Sequence, residues 1–188
     1  AFLVPVMRAW IAFGAGEKTA LDRLAEPGKG GTLAITYAGE QRPLLLLAYG
    51  RRQEGVAALQ ALATRDDGRG QRLRIAAAAK LAKDGDRPAA LALLTGNDPL
   101  VSAARTQLQA GDALPGAVDT AAAGIGLLLI RVAHDINHER ATPLGLALAR
   151  MSTFLAPELS ETWLATAEML ANADHSDAAL AALGHIPA

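Results

Sequence analysis

The chain contains no cysteine, which removes disulfides, thiol nucleophiles and Cys-ligated zinc and leaves the redox compartment open. Aromatic residues are scarce, seven in 188, and Val plus Ile number only 13. Pleated sheets are covered by β-branched and aromatic side chains, so this shortage argues against any all-β fold. Long hydrophobic runs are missing too: the longest apolar or glycine stretch, residues 121–130, is closed by Arg131 after ten residues. A bilayer-spanning helix needs about 20. With a net charge of −1 and few aromatics among the basic residues, neither a nucleic-acid surface nor membrane insertion is expected.

What is abundant is alanine, 43 residues, and leucine, 30. Both are strong helix formers, so an all-α chain is expected. The small net charge conceals an asymmetry. Residues 1–94 carry 14 Lys/Arg against 9 Asp/Glu, a net of +5, whereas residues 95–188 carry 4 against 10, a net of −6. Both ends read as cuts, since the first residue is Ala1 within an apolar helical pattern and the last three are Ile186, Pro187 and Ala188. The expectation is a fragment of a longer chain.

Glycines that follow an apolar run and precede an Ala/Leu pattern recur at Gly16, Gly50 and Gly85, at spacings of 34 and 35. Further along, a period of 34 relates Leu129 to Trp163, Ala133 to Ala167 and Gly145 to Ala179. Each unit reads as a helix ending at a residue able to turn left-handed, Asp174 standing in for glycine in the last unit, and a second helix starting within about three residues. Small residues five after the turn (Gly55, Ala90, Gly145, Ala179) and seven before it (Ala78, Ala133, Ala167) let two backbones approach. Antiparallel helix pairs follow. Helices are expected near 2–14, 17–26, 32–49, 52–64, 70–84, 87–95, 99–109, 119–138, 142–155, 160–172 and 176–184, with Pro43 kinking the third or Gly39 dividing it.

The period of 34, the small residues twelve apart around a turn, and a proline twelve after the second of them resemble the tetratricopeptide repeat. The copy through Leu129, Val132, Ala133, Gly145 and Pro157 leads into Trp163, Ala167, Leu170 and Ala179. Residues 148–187 resemble the C-terminal repeats of alanine-rich tetratricopeptide proteins of proteobacteria. The resemblance implies a single domain over 1–188, a right-handed α-α superhelix with units at about 2–30, 32–68, 70–96, 119–157 and 160–188. An irregular insertion is expected at 97–118, where 55 residues separate Gly85 from the turn position near Arg140.

In that register the first-helix residues His134, Asn137 and His138 face the concave groove, with Glu168 and Asn172 as equivalents one repeat later. Arg72 and Lys83 fall on the groove side of the basic half. His134 and His138 also sit one helical turn apart, as in the zinc-binding HExxH helix, but Asp135 replaces the Glu and no third ligand follows. Gly28-Lys29-Gly30-Gly31-Thr32 lacks the spacing of a phosphate loop and reads as a linker, and the Gly124/Gly126 pair reads as a helix-packing site. The group Arg51, Arg52, Arg65, Arg69, Arg72 and Arg74 reads as a solvated face or as donors to an acidic peptide. Trp10, Phe13 and Trp163 are expected in the core, with Trp10 and Phe13 alternatively marking a face for a preceding repeat.

No residue set calls for a catalytic reaction, a metal or a cofactor. The expected function is protein–protein interaction: a scaffold or adaptor that holds a protein or peptide in the groove, with self-association through terminal repeats open. Two alternatives stay in view. One is a helical region supporting a catalytic domain outside this sequence, as in some cell-wall-acting lytic transglycosylases; the other is a hydrolase holding metal at His134 and His138.

Overall fold

A computed structural model describes residues 3–25, 31–62, 68–137 and 143–186. Among them the fold is all-helical, with eleven helices and no strand. They are α1 (Val4–Gly14), α2 (Ala20–Ala25), α3 (Gly31–Ala48), α4 (Arg52–Leu62), α5 (Gly68–Lys83), α6 (Arg87–Leu93), α7 (Pro99–Ala110), α8 (Ala121–Ile136), α9 (Pro143–Leu155), α10 (Ser160–Asn172) and α11 (Ser176–Leu183). None is long and apolar enough to cross a membrane. The chain divides into two compact units, residues 1–121 and 122–188.

Helices form pairs because the turns between them are built alike. Gly16, Gly50, Gly85 and Asp174 all have positive φ, 77°, 74°, 85° and 60°. At each, the turn residue's N–H bonds a carbonyl three back and the next N–H bonds one five back, as in Gly85 to Ala82 (3.0 Å) and Asp86 to Leu81 (2.8 Å). This pair of hydrogen bonds satisfies two orphan carbonyls and reverses the chain. Asp174 is the only non-glycine residue with positive φ among the described residues; its short polar side chain makes that conformation cheaper than for most residues. The corresponding turn near Arg140 lies outside the described residues.

In the first unit α1 packs on α2, α3 on α4 and α5 on α6. Successive pairs are joined in a fixed pattern: α1 touches α3, α3 touches α5 and α5 touches α7, while α2 touches α3, α4 touches α5 and α6 touches α7. Residues 97–118 thus contain α7 in the place of a further first helix. It ends on the same turn as the others, Gly111 at φ 104°, with Gly111 N–H on Leu108 and Asp112 N–H on Gln107. No second helix follows, because Pro115 and Gly116 occupy the positions where it would start.

The small residues mark the crossings. Gly55, Ala78, Ala90, Ala133, Gly145, Ala167 and Ala179 are all buried. A Cβ on Gly55 would lie 2.7 Å from Leu47 Cγ and 3.2 Å from the Pro43 carbonyl oxygen. Gly39 does not divide α3, which runs unbroken through Pro43. An internal proline costs about 3 kcal/mol, but Leu44, Leu45, Leu46 and Leu47 behind it are nearly inaccessible to solvent, each worth roughly 1.5–3 kcal/mol. Trp10 is fully buried, its indole N–H donating to Gln41 Oε1 at 2.9 Å, and Phe13 meets Trp10 and Tyr49 edge to face.

In the second unit Ala133 of α8, Ala149 of α9 and Met169 of α10 share one apolar cluster, and Ala167, Leu170, Ala179 and Ala182 share another. Gly126 brings the α8 backbone against the end of α9, where its Cβ would meet Ala156 Cβ at 3.2 Å. Trp163 is half-buried rather than central. Its indole N–H donates to the Pro157 carbonyl at 2.7 Å and its ring stacks on His185 with centroids 3.9 Å apart.

Thermal melts separate these roles. Gly55→Val is expected to cost about 1–3 kcal/mol by overpacking, whereas Gly39→Ala, whose new Cβ meets nothing nearer than Leu62 Cδ2 at 3.9 Å, gains about 0.5–1 kcal/mol of helix propensity. At the left-handed turn, Asp174→Gly raises the melting temperature and Asp174→Val lowers it, a difference on the order of 1–2 kcal/mol.

Candidate functional site

The predicted groove residues divide between the two units, and the units treat them differently. In the second unit, α8 and α10 are the first helices of successive pairs, and they bring His134 and Glu168 together. His134 Nε2 lies 4.0 Å from Glu168 Oε2, with both side chains partly open to solvent. At that distance the contact is an ion pair when the imidazole is protonated, and is too long for a direct hydrogen bond. Arg131 and Asp135, one turn apart on α8, form an ion pair beside it. Asn172 is exposed in the last turn of α10.

Asn137 is placed elsewhere. Its carboxamide lies over Gly145 of α9, occupying the space that a side chain at 145 would need. Gly145 therefore admits a polar side chain into the α8/α9 contact, where the sequence pattern suggests backbone approach alone. His138 lies outside the described residues, and so does the two-histidine pair it would complete. Among the described residues no group of three or more His, Cys, Asp or Glu is arranged to hold a metal ion.

The first unit carries the basic predictions. Lys83, at the end of α5, is salt-bridged to Asp119 at 2.5 Å, and that hydrogen bond holds its ammonium above the ordinary lysine range. Arg72 is exposed near the start of α5. Other arginines act on the backbone of neighbouring elements. Arg52 donates to the Asp84 carbonyl at 3.0 Å, Arg74 to Thr95 at 3.2 Å, Arg105 to Leu94 at 2.9 Å and Gly96 at 3.1 Å, and Arg87 to Leu108. Helix C-terminal carbonyls lack intrahelical donors and carry partial negative charge, so guanidinium groups are suited to them. Arg51 instead forks onto Glu54, pulling that exposed carboxylate below its usual range through the hydrogen bond. Arg65 lies outside the described residues.

Asp119 belongs to a feature that periodicity does not reveal. After α7, residues 112–120 run without helix back along the first unit. Leu114 and Ala117 join the core cluster of α3 to α7, Val118 is buried, and Ala121 reaches Gly14 of α1, where an added Cβ would lie 2.8 Å from Ala121 Cβ. Gln107 fixes the start of the segment by donating to the Ala113 carbonyl at 2.9 Å. The register position of His134 and Glu168, six before the turn, is held in α1, α3 and α5 by Trp10, Leu44 and Ala79, all buried, and in α7 by Arg105, whose guanidinium is engaged by the Leu94 and Gly96 carbonyls. On α8 and α10 of the second unit the same position carries His134 and Glu168, which face each other. No family model matches this chain, and no curated protein or solved structure matches it either.

The extended segment makes a clear forecast for amide hydrogen exchange. Asp119→Ala should speed exchange in residues 112–120 while costing under about 1 kcal/mol globally, as expected for an exposed ion pair. Val118→Ala, which removes buried methyls, should cost on the order of 2 kcal/mol.

Proposed function

We propose that this chain is a tetratricopeptide-like α-solenoid, a right-handed superhelix of stacked hairpins, that binds a protein or peptide partner without catalysing a reaction. The observation that carries this reading is the pairing of His134 with Glu168. The two residues are 34 apart in sequence and hold the same position relative to their turns, so side chains at that position of successive first helices line one face. Stacked pairs with a shared face give an extended recognition surface, as in other helical repeats. The pattern of pair-to-pair contacts in the first unit supports the stacking.

The recognition surface belongs to the second unit and is formed by His134, Glu168 and Asn172, with Arg131 and Asp135 setting the charge beside them. Its partner is a polypeptide segment that offers hydrogen-bond donors and a cation to Glu168. Asn137 positions α8 against α9 and contributes through that contact. Lys83, engaged by Asp119, and Arg72 belong to the first unit.

The test is recovery of partners from the native cell with the full-length protein, comparing wild type with a His134→Ala/Glu168→Ala/Asn172→Ala variant of unchanged circular dichroism. A partner held by wild type should fall at least about tenfold in the variant, a loss of about 1.4 kcal/mol. Equal recovery by both proteins removes the groove assignment, and Arg72→Ala serves as the surface control that leaves binding intact.

A further inference from the structure

A glycine inside a helix is a poor choice unless something needs the room. Gly14, in the last turn of α1, gives that room to Ala121: a Cβ on Gly14 would lie 2.8 Å from the Ala121 Cβ. Two residues before its turn, Gly14 holds the same register position as Lys83 of α5, which is paired with Asp119 at 2.5 Å. Gln107 of α7 takes the Ala113 carbonyl at 2.9 Å. Residues 112–121 thus make their polar and closest contacts with α7, α5 and α1, each the first helix of its step in the first unit.

The segment is held as a bound peptide is held. Among the described residues no backbone group of residues 113–119 hydrogen-bonds the backbone of another element. Attachment comes from side chains: Leu114 and Val118 are buried, Ala117 packs on the same cluster as Leu114, and Asp119 reaches Lys83. That ion pair is open to solvent, with the lysine side chain 60% exposed, so it guides more than it holds. Segments with few backbone hydrogen bonds open locally at far lower cost than packed helices. The hairpins α1/α2, α3/α4 and α5/α6 close through their own turns, with no backbone bond to the segment.

We propose that residues 112–121 are the chain's own occupant of a peptide-binding face on the first unit, and that an extended polypeptide segment of the same pattern takes their place. The pattern is a leucine-sized side chain, a small residue three on, a valine-sized one next, and a carboxylate after it to meet Lys83. Because the face asks for no backbone hydrogen bond, recognition rests on those side chains. While docked, the chain's own copy competes at the effective concentration of a short tether, on the order of millimolar, so the face stays masked until a better-fitting or more abundant segment arrives. The His134/Glu168 surface of the second unit takes no part, and either reading can fail without the other.

Fluorescence anisotropy of a labelled peptide of residues 111–121, titrated with the whole chain, tests this. Leu114→Asp/Val118→Asp releases the chain's own copy, and that variant should bind the peptide at least about tenfold more tightly than wild type, whose tethered copy competes. Asp119→Lys in the peptide should weaken binding to the released chain about threefold, and Lys83→Glu in that chain should restore it. Gly14→Ala is the milder release, because it crowds Ala121 and leaves Leu114 and Val118 unchanged. In it, amide exchange of residues 112–120 should rise at least about tenfold, and a peptide carrying Ala121→Gly should bind it more tightly than it binds wild type. Binding by neither released chain, equal binding by wild type, or indifference to the charge swap overturns the proposal. Loss of helical circular dichroism in both variants overturns it too, since the segment is then part of the core and not an occupant.

Discussion

The left-handed turn residue is the constraint on which the remaining architecture rests. At Gly16, Gly50, Gly85 and Asp174 one backbone conformation closes two hydrogen bonds and sends the chain back along itself. Once the chain has turned, two Ala/Leu helices are held side by side, and their separation is decided by the residues that meet at the crossing. Gly55 shows how tightly: the leucine and carbonyl facing it leave no room for a methyl group. Turn spacing, small residues and helix length are therefore not independent features, and a period near 34 is the distance over which all three recur.

The positions of the helices were legible in the sequence because capping and turn chemistry are local. Asp174 could be identified as a surrogate for glycine from its place in the period, and its φ of 60° agrees. Pro43 shows the limit of local reasoning: four buried leucines outweigh the cost of keeping it in α3. What could not be read was which polar groups meet. Asp119 and Lys83 are 36 residues apart, in a segment without periodicity, and nothing in their types distinguishes this pair from any other acid and base. Asn137 had a defensible register on the groove, but the side chain turns toward Gly145 because a glycine there leaves space.

The basic character of the first half also takes a different meaning. Guanidinium groups from Arg52, Arg74, Arg87 and Arg105 hold carbonyls of adjoining elements, so much of the positive charge is spent internally, tying one helix end to the next. The second unit has only three Lys/Arg. Its hairpins share alanine, leucine and methionine contacts, and His134 and Glu168 stay partly open to solvent, whereas residues 112–120 cover part of the first unit.

That covering segment bears on the order in which the protein is made. Synthesis delivers helices α1 to α7 by residue 110, yet the chain that buries Leu114 and Val118 and brings Ala121 to Gly14 comes afterwards. Domains tend to fold as units as they emerge from the ribosome. Here the first unit reaches its closed state only when its last dozen residues have left the exit tunnel, so α8 is already being translated while α1 still waits for its final contact.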